Sequence, residues 1–133
     1  MSEQNKRVVM SYVDAFNRGD LDAVRAMFAP DALIHGALGW GGLETAVPIW
    51  EQLMRCFQLS LEVDAVAAEG DAVVVRYTER GRSVQSFCGG PVTGKDYEVL
   101  AMEWFVVKEG HIERRWGVRD AAAMFRQMAL PLP

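Results

Sequence analysis

Hydrophobic residues recur at helical spacing at the start of the chain and at every second position further along it. Val8, Tyr12 and Phe16, flanked by Val9 and Val13, mark the buried side of an amphipathic first helix. Gly19 stops it, because glycine alone takes the left-handed cap conformation without a Cβ penalty. Asp20 suits the N-cap of a second helix with Leu21, Val24 and Phe28 inward, and Pro30 ends that helix. Ala32 to His35 reads as a short strand, and GALGWGG (36–42), with four glycines, as a loop. Val47, Trp50, Met54 and Phe57 predict a third helix, in which Pro48 fits only near the first turn.

From Leu59 the period is two. Leu59, Leu61 and Val63 alternate with Ser60, Glu62 and Asp64, as in a half-buried strand. A turn at Glu69-Gly70-Asp71 leads into a strand over Ala72–Arg82, and FCGGPVTGK (87–95) is a glycine-proline loop. Tyr97–Val107 and Ile112–Val118 form a hairpin about Glu109-Gly110, and Ala121–Met128 is a last short helix capped by Asp120. Three helices followed by long strands and a terminal helix predict an α+β fold. Its strongly bent antiparallel or mixed sheet wraps around the three N-terminal helices, with a cone-shaped apolar cavity between.

Composition narrows the function. The 133 residues suit a single domain spanning 1–133. A net charge of −4, with Arg114-Arg115 as the longest basic cluster, gives nucleic-acid binding no electrostatic support. No apolar run is long enough to span a membrane, and MSEQNKRVV lacks the apolar core of a signal peptide, so a cytoplasmic protein is expected. Cys56 and Cys88, 32 apart without a CxxC, read as reduced thiols, and two histidines show no metal-ligand spacing. No metal and no cofactor is expected. Gly89–Lys95 has the spacing of a phosphate-binding loop, but Asp96 follows it and a strand replaces the helix whose N-terminus would hold phosphate.

The blocks YVDAFNRGDLDAVRAMFAPDA (12–32), GGPVTGK (89–95), EWFVVKEGHIERRWGVRD (103–120) and FRQM (125–128) resemble the nuclear-transport-factor-2-like superfamily, and within it the SnoaL-like polyketide cyclases. The first block equally resembles the ketosteroid isomerases. The resemblance covers nearly the whole chain and implies the cone-shaped fold and a homodimer built on the outer face of the sheet. On simple alternation Ile112, Trp116 and Val118 share one such face. The cyclases' acid/base aspartate falls at Gly117, with Asp120 three places on, and their accompanying histidine at about Glu103. Against the isomerases, Tyr12 matches the tyrosine that donates to the enolate oxygen. Glu103 matches the aspartic acid kept protonated beside it, an enzyme that also serves as the standard example of that behaviour. The isomerase base falls at Gly36, immediately after His35.

These residues define the candidates. Tyr12 is either a core tyrosine or a pocket donor. Glu103 sits in VLAMEWFVV, apolar on both sides, where a carboxylate needs a partner. Burial would raise its pKa and make it a proton donor, whereas the structural alternative is an ion pair with Arg114 or Arg115. His35 is the candidate base and His111 a turn residue. Phe16, Trp40, Trp50 and Phe105 are candidate pocket walls, with plain core as the alternative, and Trp40 in its glycine-rich loop suggests a lid. Two functions follow. One is an enzyme performing proton transfer (isomerase, cyclase or lyase chemistry) on a hydrophobic carbonyl compound, with Tyr12, Glu103 and His35 catalytic. The other is a ligand-binding or dimeric module that has lost its acid/base residue.

Overall fold

A computed structural model describes residues 2–36 and 39–132. The first helix, α1 (Ser2–Asn17), buries Val9, Tyr12, Val13 and Phe16 as the periodicity requires. Gly19, at φ +70°, turns the chain, and the Asp20 amide donates back to the Ala15 carbonyl, closing the helix end. Asp20 caps α2 (Leu21–Ala26) by accepting from the Ala23 amide. Strand β1 (Phe28–Gly36) starts earlier than the sequence suggests. Phe28 belongs to it rather than to α2, and Pro30 lies inside it at an exposed position that a missing N–H does not disturb. The expected loop over 36–42 contains residues 37 and 38, which lie outside the described ones. Its remainder forms a short strand, β2 (Gly39–Gly41), antiparallel to β1. Helix α3 (Leu43–Phe57) begins five residues before Pro48, so the proline lies past the first turn where the sequence reading placed it, on the exposed side of the helix.

Strands β3 (Ser60–Glu69), β4 (Ala72–Arg82), β5 (Asp96–Lys108) and β6 (His111–Arg119) complete a sheet of order β2-β1-β6-β5-β4-β3. The sheet is mixed: β1 runs parallel to β6, and every other neighbour pair is antiparallel. Asp96 opens a strand, so Gly89–Lys95 meets no helix N-terminus. Helix α4 (Ala121–Gln127), capped by Asp120, buries Ala123, Met124 and Phe125, the last against Phe57 and Phe87. The fold is the α+β arrangement expected, a curled unclosed sheet with α1 and α3 against its inner face. None of the described helices is long and apolar enough to cross a membrane. Cys56 is buried, Cys88 is exposed, and both are free.

One register detail corrects the sequence reading. Val107 pairs with Ile112 but Val106 pairs with Arg114, so Glu113 is an extra residue in β6. A bulge reverses the alternation beyond it. Ile112 is therefore buried inside while Trp116 and Val118 share the outer face, and the three do not form one patch.

Gly81 also fixes a side chain that matters below. The Tyr97 ring crosses directly over it, and a Cβ there would meet Tyr97 Cζ and the Phe57 carbonyl oxygen, each at 2.9 Å. Backbone cannot yield as a flexible side chain does, so Gly81→Ala is expected to lower stability by about 1–3 kcal/mol. Urea denaturation would read this as a fall in midpoint at unchanged slope.

Candidate functional site

Strand β5 alternates strictly. Tyr97, Val99, Ala101, Glu103, Phe105 and Val107 are buried inward, and Glu98, Leu100, Met102 and Trp104 point outward. The pleat thus carries Glu103 into the core between Ala101 and Phe105, leaving it 5% exposed. A carboxylate in that position needs donors, and three reach it. The Tyr12 hydroxyl descends from α1 and donates to Oε2 at 2.8 Å. The Tyr77 hydroxyl, from β4, donates to Oε1 at 2.8 Å. Arg115 Nε, from β6, donates to Oε2 at 2.5 Å. The bulge at Glu113 selects Arg115 rather than Arg114 for this task. Arg114 instead lies on the outer face between the Trp40 and Trp116 rings, 5.0 and 5.1 Å from their centroids.

The protonation pattern differs from the one the isomerase resemblance implies. Both oxygens of Glu103 accept, as an ionised carboxylate does, and the proton donors are the tyrosines and the arginine. Burial first, and the Glu103 charge second, push the Tyr12 phenol well above its ordinary range, and the same causes act on Tyr77. Burial, the largest influence, opposes the Arg115 charge, but the Glu103 charge and hydrogen bond together with the Tyr12 and Tyr77 phenols outweigh it and hold the guanidinium above its usual value. The cluster is therefore a fixed set of donors around one anion, with no phenol near ionisation at neutral pH.

A cavity of about 90 Å³ opens beside this cluster. Tyr12, Tyr77, Glu103 and Arg115 line it, together with Phe16 and Trp50 from the expected aromatic wall. Phe105 is fully buried behind the site with its ring 5.3 Å from that of Tyr12, and does not line the cavity. Trp40 stands on the outer face, about half exposed, and is not part of the lining. Nor does the structure bring His35 to the site. On β1, Ala32 and Ile34 point inward, so the His35 ring faces outward, 4.4 Å from the ring of Trp40. Only its carbonyl oxygen touches the cluster, accepting from Arg115 Nη1 at 3.3 Å.

Gly36 and Gly117 together make room for the Arg115 guanidinium. A Cβ on Gly117 would lie 2.5 Å from Arg115 Nη2 and 2.8 Å from Nη1, and one on Gly36 would lie 3.4 Å from Nη1. The Arg115 guanidinium thus occupies the ground where a side chain at Gly117 would begin. Its Nε binds Glu103 and its Nη1 binds His35, whereas Nη2 has no hydrogen-bond partner among the described residues.

A second polar group in the cavity wall went unread in the sequence. Glu79, 0% exposed, accepts from the Tyr97 hydroxyl at 2.6 Å and from Arg119 Nε at 2.8 Å. Glu79 and Arg119 both line the cavity. The signal was available: Val73, Val75, Tyr77 and Glu79 follow one another at alternate positions on β4, which places a carboxylate on the buried face.

No curated protein matches the sequence. Several solved structures do. IdmH of Streptomyces antibioticus, a candidate polyketide cyclase, is 28% identical with a TM-score of 0.84, over 95% of this chain and 99% of that one. A candidate SnoaL-like polyketide cyclase from Jannaschia sp. CCS1 is 25% identical at a TM-score of 0.86, over 98% and 96%. AclR of Streptomyces galilaeus, a candidate hydroxylase, is 23% identical at 0.89 over 97% and 98%, a likeness in fold alone. The helices and the curled, unclosed sheet are those of the cone-shaped nuclear-transport-factor-2-like fold. With the SnoaL-like polyketide cyclase family model matching residues 6–128, the chain belongs to that family.

Proposed function

We propose that the chain is a single-domain small-molecule enzyme that moves a proton next to a carbonyl group in this cavity, as an isomerase, cyclase or lyase does. The observation that carries the reading is the convergence of Tyr12, Tyr77 and Arg115 on the Glu103 carboxylate at the wall of the cavity. The unpaired Nη2 of Arg115 is the donor left for a ligand's carbonyl oxygen, and donors fixed in advance can lower the barrier to an enolate by several kcal/mol. Glu103 is the proton acceptor in this scheme. The C–H bond beside the carbonyl breaks, its electrons move into a C=C bond and onto the oxygen held by Arg115, and the proton goes to Glu103. Return of that proton to another carbon gives isomerisation; attack of the enolate carbon on a second carbonyl, whose π electrons pass to its oxygen and whose oxygen then takes the proton from Glu103, gives cyclisation. The tyrosines fix the carboxylate's direction and stay protonated throughout. His35 has no role here, because its ring faces away.

A second reading is favoured by one observation. The Arg115 guanidinium fills the space beside Gly36 and Gly117, both positions where related families keep a base, and it already neutralises Glu103. A cavity so built binds carbonyl compounds without turning them over. Cyclohexanone in D₂O separates the two readings: an enzyme accelerates deuterium exchange at its α-carbons, followed by proton NMR, and a binding module does not. In the enzyme reading Glu103→Gln lowers the exchange rate by about 100-fold or more and Tyr12→Phe by about ten-fold. Wild-type rates in both variants would sink the assignment.

The outer face of the sheet supports a homodimer. Leu100, Met102, Trp104 and Val118 stand together across β5 and β6, with Trp104 paired to Trp116 and with Leu33 and Trp40 beyond. Val118 is 67% exposed and Trp104 49%, a contiguous apolar patch of the kind that marks a protein interface. Light scattering should give twice the 14.8 kDa chain mass. The double variant Trp104→Glu/Val118→Arg should give the chain mass itself, and a monomeric wild type would refute the dimer.

The protonated tyrosines can be checked directly. The chain has three, and all three are buried against carboxylates with their phenols pushed upward, Tyr97 by burial and then by Glu79. A raised pKa in the folded state means that this contribution to stability is intact below the ordinary value of about 10 and is lost as pH climbs beyond it. Absorbance at 295 nm should show no tyrosinate while the protein is folded, even at pH 10.5. In guanidinium chloride the same chain should be half-ionised near pH 10, and a native curve matching it would disprove the burial.

A further inference from the structure

The Glu103 cluster has a counterpart of the same construction. Glu79 is fully buried, Tyr97 donates to one of its oxygens and Arg119 to the other, and Gly81 gives the Tyr97 ring the room to reach it. A buried ion pair is poor evidence for a gain in stability, because apolar residues of similar size often do as well. This pair, moreover, is not sealed in the core, since Glu79 and Arg119 line the same cavity as Glu103 and Arg115. Only Nε of Arg119 is used within the protein, and its two terminal nitrogens have no hydrogen-bond partner among the described residues.

We propose that Arg119, held by Glu79 and Tyr97, is a second oxygen-binding point, and that the cavity takes neutral ligands bearing two oxygen functions several carbons apart. This rests on the carbonyl-binding reading above and specifies its substrate class. The spacing follows from the strand. Arg115 and Arg119 are four residues apart on one face of β6, roughly 13 Å along the chain, and the Arg115 guanidinium lies back over Gly117, on the side of Arg119. Both arginines border the one cavity, so a ligand with an oxygen at each end can place one at each guanidinium. Neutrality follows from charge: Glu79 with Arg119 and Glu103 with Arg115 are two matched pairs. A ligand carboxylate would bring an unmatched charge into a largely apolar site, at a cost that a ketone or hydroxyl oxygen avoids.

The test compares two neutral rings of the same size, 1,4-cyclohexanedione and cyclohexanone, by NMR titration of the ¹⁵N-labelled protein. The dione should bind at least about ten-fold more tightly, the effect of one added hydrogen bond from a charged donor, and should shift the Arg119 side-chain Nε resonance where cyclohexanone does not. The double variant Glu79→Gln/Arg119→Met, which removes both charges together, should lose the preference while keeping its affinity for cyclohexanone within about two-fold. Equal binding of the two rings by the wild type, or an Arg119 resonance indifferent to the dione, overturns the two-point proposal and leaves the carbonyl-pocket reading standing. A preference that survives in the double variant does the same. Failure of both rings to bind overturns both readings.

Discussion

The burial of one negative charge governs this structure. Strand β5 directs Glu103 into the core, and an unpaired carboxylate there would cost several kcal/mol. Three separate elements are committed to it: α1 supplies Tyr12, β4 supplies Tyr77 and β6 supplies Arg115. These contacts tie the N-terminal helix to the inner face of a central strand, 91 residues away in sequence. The register of the last hairpin has to serve the same end, because regular alternation from Ile112 through Glu113, without the bulge, would turn Arg115 outward.

Glycine makes the two polar clusters possible. Gly117 lets the Arg115 guanidinium lie flat against β6, and Gly81 lets the Tyr97 ring lie across β4. Each absent side chain becomes the seat of a long one. A site read as having lost its family carboxylates is, in three dimensions, a site whose room has been given to a guanidinium. The polar side of the cavity accordingly consists of two carboxylates, each held by a cation and a phenol or two.

Inner and outer faces of the sheet divide the labour. The inner face encloses the cavity and carries both clusters, while the outer face collects Trp40, Trp104, Trp116 and Val118, with Arg114 stacked between two of the rings. The period of two along each strand keeps these functions apart although their residues alternate in sequence. His35 illustrates the consequence. It is adjacent in sequence to Gly36, yet one step along a pleated strand turns its ring to the opposite face.

The helical and alternating patterns by themselves determined the long elements, the α+β class and the apolar helix faces that carry Tyr12, Phe16 and Trp50, because local periodicity decides which side of a helix is buried. Glu103, in a strand apolar on both faces, had its direction set only by the sheet. The resemblance of the chain's motifs added the family. What the pattern could not decide was everything set by pairing between distant strands. The bulge at Glu113, the choice of Arg115 over Arg114 and the outward turn of His35 depend on registers that no short window of sequence encodes. Glu79 was marked by its alternate position, but its meaning came only with Tyr97 and Arg119, which reach it from two other stretches of the chain. Tertiary structure decided which charges meet, because an ion pair is a property of two strands' alignment and not of either strand's sequence.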